Sequence, residues 1–165
     1  MIDDSLLLAR ASDYAHSRGI FLQEEPRIGH GSDGSVWKTS RNSAVKVLEL
    51  QQNYTNELEC YRRLRDAGVS HLSGFDIPVL EGFDDRLRVI EMTIVQPPYL
   101  LDFGKVHLDA PPPYWDDKLL RANAYQEWRE RFDNRWEEVA RVLGILEKYG
   151  IYYVDPRPGN IDMGE

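Results

Sequence analysis

A chain of 165 residues, 42% hydrophobic and 29% charged, has the length of one folded domain with an appendage and falls short of two full domains. Its net charge of −8 argues against non-specific nucleic-acid binding and against an anionic membrane surface. Cys60 is the only cysteine, which excludes an internal disulfide and a cysteine-based zinc site and fits a reducing compartment, the cytoplasm by default.

Met1-Ile2-Asp3-Asp4 lacks the basic start of a signal peptide, and no apolar run approaches the ~18 residues of a membrane span. His16, His30, His71 and His107 are too scattered for a metal site. Asp3, Asp4 or Ser5 can cap a helix running to about Ser17, with Leu6, Leu7, Ala9, Tyr14 and Ala15 on a broad apolar face and Gly19 as its stop. That helix, residues 1–25 with its linker, is expected to pack outside the sheet that follows.

From Pro26 the pattern becomes Arg27-Ile28-Gly29-His30-Gly31-Ser32-Asp33-Gly34-Ser35-Val36-Trp37-Lys38, with Gly29, Gly31 and Gly34 in G-x-G-x-x-G order. Glycines so spaced let a strand-turn-strand hairpin offer backbone N–H groups to phosphate with no Cβ in the way. A dinucleotide-binding fold would continue into a helix, whereas Ser35 to Thr39 reads as a strand. After a polar turn at 40–43, Ala44 to Leu50 reads as a third strand with Lys46 alone in its apolar centre, a position that asks for a charged partner. A helix from about Asn53 to Ala67 places Glu57, Tyr61 and Leu64 on one face, so Glu57 points inward toward that strand.

Gly68 ends the helix. Ile77 to Phe83 and Arg86 to Val95 read as a hairpin turning at Asp84-Asp85. Gln96-Pro97-Pro98 takes the chain out of the sheet, because two prolines cannot continue a ladder. Ala110 to Pro113 is a stiff connector. Helices over about Tyr114 to Arg131 and Asn134 to Lys148 follow, with Trp128, Trp136, Val139, Leu143 and Leu146 as core candidates. The chain then enters Tyr152-Tyr153-Val154-Asp155-Pro156-Arg157-Pro158-Gly159-Asn160-Ile161. Here a carboxylate and an amide lie five positions apart across a turn stiffened by proline and glycine.

Taken together these segments resemble the protein-kinase-like superfamily. The likeness rests on G-x-G-x-x-G-x-V at Gly29 to Val36, A-x-K at Ala44 to Lys46, the helix glutamate Glu57, I-E-M-T at Ile90 to Thr93, and D-x-x-x-x-N at Asp155 to Asn160. The resemblance implies an α+β fold: a kinase-like small lobe of five antiparallel strands plus a helix at 26–96, and a reduced helical large lobe at 97–165 that carries the catalytic-loop-like segment 152–161. It also implies that Gly29, Gly31 and Gly34 cover the phosphates of ATP and that Lys46, held by Glu57, contacts them. Val36 and Ala44 would line the adenine slot, the backbone of Glu91 to Thr93 would meet the adenine edge, and Ile90 would be the gatekeeper. Asp155 would be the catalytic base, Arg157 would stand where many kinases place a lysine, and Asn160 would ligate magnesium.

Two departures matter. The family's His-Arg-Asp reads Tyr153-Val154-Asp155, and its magnesium-binding Asp-Phe-Gly, expected about a dozen residues past the Asn, has no place before Glu165. Asp162, two positions beyond Asn160, is the candidate second metal ligand. Leu100-Leu101-Asp102-Phe103-Gly104 spells the missing motif, but ahead of the catalytic loop. It reads as a chance recurrence, with Asp102 nearer a ribose hydroxyl. The expected function is an ATP-binding, kinase-like protein, a minimal phosphotransferase with Asp155 as base. The alternative is a pseudokinase or scaffold that binds a protein partner, with a partner or a second copy completing the large lobe.

Overall fold

The structure, a computed structural model, describes residues 4–23, 27–31 and 33–164, with the backbone alone at 30 and 31. The expected cap at Asp3, the boundary at Pro26 and the loop residue Ser32 lie outside the described residues. The first helix, α1 (Asp4–Arg18), buries Leu7, Ala11, Tyr14 and Ala15, a stripe recurring every three or four positions. Gly19 ends it at φ +64°, a left-handed stop that costs glycine little.

Six strands follow in one sheet: β1 (Leu22–Gln23), β2 (Gly29–Gly31), β3 (Gly34–Thr39), β4 (Ser43–Leu48), and, after intervening elements, two more. Between them come helix α2 (Gln51–Asp66) and a short hairpin, β5 (His71–Leu72) with β6 (Phe75–Asp76). The sheet is completed by β7 (Leu80–Asp84) and β8 (Val89–Thr93). β1 and β2 share one edge of β3, and β4, β8 and β7 follow in that order, all antiparallel. The sheet is therefore five strands wide, as expected.

Side chains alternate across it. Trp37, Val45, Val47 and Val89 pack on α1, so α1 covers the back of the sheet as its apolar stripe requires. Ala44, Leu48, Ile90 and Met92 face the other way, into a core shared with Tyr54, Leu58, Tyr61 and Leu64 of α2. Glu91 points backward with the α1 set: its carboxylate accepts from the Tyr14 hydroxyl at 2.9 Å and from Ser43 Oγ at 2.6 Å. Burial and Glu91 raise the Tyr14 pKa.

Beyond the sheet come β9 (Tyr99–Leu100), β10 (His107–Leu108), α3 (Lys118–Phe132), α4 (Trp136–Glu147), β11 (Ile151–Tyr152) and β12 (Ile161–Asp162). α3 starts four residues later than its composition suggests, because Asp117 caps it, accepting from the amides of Leu119 and Leu120. Residues 113–116 form a 3-10 turn. Trp128, Trp136, Val139, Leu143 and Leu146 are all buried, and they belong to the same cluster as Ala44 and Leu64. One continuous core therefore joins the sheet and α2 to α3, α4, β11 and β12.

Three pairings had no signal in the local pattern. β12 runs antiparallel to β9, with Ile161 opposite Leu100, while β9 also pairs in parallel with β6. β10 pairs with β11. The segment just past the proline pair is thereby laid against the C-terminal loop.

Candidate functional site

Between sheet, α2 and the C-terminal loop lies a cleft of about 690 Å³. Apolar Val36, Ala44 and Met92 line it, and a charged end carries Lys46, Glu57, Asp102, Asp155 and Arg157 with the amide of Asn160.

Lys46 is at this charged end because it shares a strand face with Ala44 and Leu48. Its ammonium donates to both oxygens of Glu57, at 2.8 and 2.7 Å, and to Asp102 Oδ1 at 3.3 Å. Glu57 is completely buried. Burial works against the Lys46 ammonium, but Glu57 and Asp102 outweigh it and raise its pKa. Burial likewise pushes the Glu57 carboxyl up, to about 7, with Lys46 opposing.

Asp102, expected nearer a ribose hydroxyl, accepts from the Lys46 ammonium beside Glu57. The β9–β12 pairing and a bond from the Leu101 amide to the Asn160 carbonyl at 2.8 Å set Asp102 beside the C-terminal loop. Phe103 is fully buried, edge-on to Tyr61 at 5.2 Å and to Tyr153 at 6.0 Å. Gly104 packs so close to α2 that a Cβ would lie 3.3 Å from that of Asn53. Asp102 itself has φ +64°, a left-handed conformation that costs a residue with a Cβ roughly 1 kcal/mol or more, and Asp tolerates it better than most. The segment Leu101 to Gly104 is thus packed and partly strained, and its order along the chain gives no sign of the long-range pairing that places it here.

In the C-terminal loop, Tyr153 is buried. Its hydroxyl donates to the Leu101 carbonyl at 2.6 Å, so it ties the loop to the Asp102 segment. Asp155 is gripped from two sides. Arg131 of α3 donates to Oδ1 at 2.8 Å and to the Pro156 carbonyl at 3.1 Å, and Arg157 pairs with Oδ2. Burial works to raise the Asp155 pKa, but Arg157 and Arg131 together outweigh it and leave the carboxyl below its ordinary value. Arg131 is itself held by Glu127 one turn earlier. No local pattern marks Arg131, because only the packing of α3 brings it to the loop.

The glycine-rich segment forms the hairpin expected of it, Gly31 facing Gly34 across the turn. Gly29 and Gly34 line the cleft, as do Val36, Ala44 and Thr93. Gly34 has a structural demand of its own: a Cβ there would lie 2.0 Å from the Val47 carbonyl oxygen. On the rim, the Glu91 side chain faces α1, Ile90, opposite Lys46, is fully buried, and Met92 to Gln96 line the cleft. Asp162 is not among the cleft-lining residues; it accepts from the Gly164 amide at 2.8 Å and interacts with the Tyr99 hydroxyl. Among the described residues no helix is long and apolar enough to cross a membrane.

No protein-family model and no curated protein matches the chain. Solved structures similar at a low level include two phosphotransferase complexes. The streptomycin-ATP-APH(2")-IIa ternary complex is 20% identical, with a TM-score of 0.39, over 58% of this chain and 29% of that one. The ADP-bound aminoglycoside phosphotransferase APH(2'')-Ib is 19% identical, with a TM-score of 0.36, over 80% of this chain and 40% of that one. The chain spans less than half the length of either.

Proposed function

We propose that this protein binds ATP in the cleft and transfers its terminal phosphoryl group to a hydroxyl acceptor. The observation carrying the reading is the convergence of Lys46, Asp102, Asp155 and Asn160 on one cleft, although they come from three separate stretches of chain. Lysine held by a buried glutamate is a fixed positive charge suited to phosphate oxygens. The apolar lining, with Val36, Ala44 and Met92, suits the flat face of a base.

Among the described residues no three His, Cys, Asp or Glu side chains gather to hold a metal. Magnesium, however, takes one or two protein oxygen ligands and completes its shell with phosphate and water. Asp102 and Asn160, on adjoining backbone segments, are hard oxygen donors of that kind and would hold it. The ion, when bound, neutralises charge on the phosphates. Arg157 would add positive charge at the transferred group. Asp155 would accept the acceptor hydroxyl's proton as the new P–O bond forms and the bond to the ADP oxygen breaks. Transfer of this kind depends mainly on positioning and charge stabilisation, so a weakly basic carboxylate suffices.

One observation favours a second reading, a nucleotide-binding module without transfer: both Asp155 oxygens are occupied by guanidinium groups. Incubation with γ-labelled ATP and magnesium, beside ATP titration by calorimetry, separates the two. The first reading expects turnover that is lost in Asp155→Ala while binding persists. Binding without turnover in the wild type would leave the second, turnover unchanged in Asp155→Ala would overturn Asp155 as the base, and absence of binding would sink both.

A further inference from the structure

The charged side chains lining the cleft balance: Lys38, Lys46, Lys105 and Arg157 against Asp33, Glu57, Asp102 and Asp155. A wall with no net charge is a poor attractor for a polyphosphate, and three of those cations are already engaged by wall carboxylates: Lys46 by Glu57 and Asp102, Arg157 by Asp155, and Lys105 by Asp33. The last pair differs from the others in its placement. Asp33 belongs to the turn of the glycine-rich hairpin, and its carboxylate accepts from Lys105 at 2.9 Å and from the Asn53 amide at 3.1 Å. Lys105 follows Gly104, and the carbonyls of Gly104 and Val106 on either side of it each accept from Asn56 at 3.2 Å. Its backbone is therefore pinned to α2. Its side chain is nonetheless 48% exposed, against 15% for Asp33 and 13% for Lys46. Of the four ion pairs that include a cleft lysine or arginine, this one joins a half-buried anion on the turn of the glycine-rich hairpin to an exposed cation.

We propose that Lys105 is a phosphate-binding residue of the cleft and that Asp33 is its built-in competitor. In this arrangement the Asp33 carboxylate occupies Lys105 until a nucleoside di- or triphosphate displaces it. This rests on the nucleotide reading above and adds to it a selectivity: the exchange is favourable only for a ligand that brings more negative charge to Lys105 than Asp33 does. A phosphate chain does so and a bare nucleoside does not. Asp33, released, remains satisfied by Asn53 and by solvent.

The test is calorimetric titration of ATP, and separately of adenosine, into wild type, Asp33→Asn, Lys105→Met and the double variant, with thermal unfolding as a check that all four are folded. Asp33→Asn keeps a partner for Asn53 and removes the competing charge, so ATP should bind about fivefold tighter, the scale of a partly exposed ion pair. Lys105→Met should weaken ATP about tenfold. In the Lys105→Met background Asp33→Asn should bring no gain, the non-additivity that marks a direct exchange. Adenosine should bind all four alike. ATP binding that is unaltered in either single variant, or an Asp33→Asn gain that survives loss of Lys105 or extends to adenosine, would overturn the exchange and leave the nucleotide reading standing. Failure of all four proteins to bind ATP would overturn both.

Discussion

The pair Lys46–Glu57 allows a quantitative forecast, because its two halves are unequal. Glu57→Ala strips the ammonium of the partner that accepts two of its three bonds and leaves only Asp102, at 3.3 Å and 26% exposed. Removing one member of a buried pair costs about 3–5 kcal/mol, and the surviving contact with Asp102 puts this case at the lower end, about 3 kcal/mol. Lys46→Met leaves Glu57 without its cation, but burial already drives that carboxyl to bind a proton, its pKa lying near 7 against an ordinary 4.5. As a neutral acid short of partners it costs about 1–3 kcal/mol.

The second penalty therefore depends on pH. A folded-state pKa above the unfolded value means the proton is held more tightly in the folded chain, so stability is fullest below about 4.5 and falls as pH rises toward 7. Lys46→Met should accordingly lose more stability at pH 8 than at pH 5. Replacing both residues, Glu57→Leu with Lys46→Met, removes both charges from the interior and should be milder than Glu57→Ala. Urea unfolding followed by tryptophan fluorescence measures all of these. If the double variant loses the sum of what Glu57→Leu and Lys46→Met lose singly, the residues do not interact as described and the reasoning fails.

Two further outcomes follow from the same geometry. Gly34→Ala should destabilise by about 1–3 kcal/mol, because its Cβ would lie 2.0 Å from the Val47 carbonyl oxygen; a midpoint in urea matching wild type would show that β4 yields there at no cost. Arg131→Met removes one of the two guanidinium groups that hold the Asp155 pKa down. Since a depressed pKa stabilises above the ordinary carboxylate range and that benefit is lost as pH falls through it, the variant should trail wild type by up to about 1 kcal/mol at pH 7. The difference should close in acid, and a gap that is constant with pH would assign Arg131 a packing role alone.

Periodicity and punctuation carried much of the fold. The face of α2 bearing Glu57, Tyr61 and Leu64, the strand with a lone central lysine, and the tryptophan-bearing helices all stand where apolar spacing places them, because burial of a face is a local property of the chain. The rim of the cleft was less legible. Glu91 and Ile90 lie on opposite faces of one strand, and their assignment turned on the register with β4, where Val45 pairs with Glu91 and Lys46 with Ile90. Asp162 could be placed on a strand but not aimed, since its aim depends on Tyr99 and Gly164.

By itself the sequence determined the short-range chemistry: a lysine and a helix carboxylate eleven residues apart, and a stiff loop holding Asp155 and Asn160. Only the tertiary structure decided which other charges join them. Asp102 precedes Asn160 by 58 positions, and its arrival beside Lys46 depends on β9 pairing with β12. Arg131 reaches Asp155 only because α3 packs into the same core as the sheet. Strand pairing and helix docking at such separations are chosen by the whole set of buried surfaces competing at once, a selection that no local spacing records.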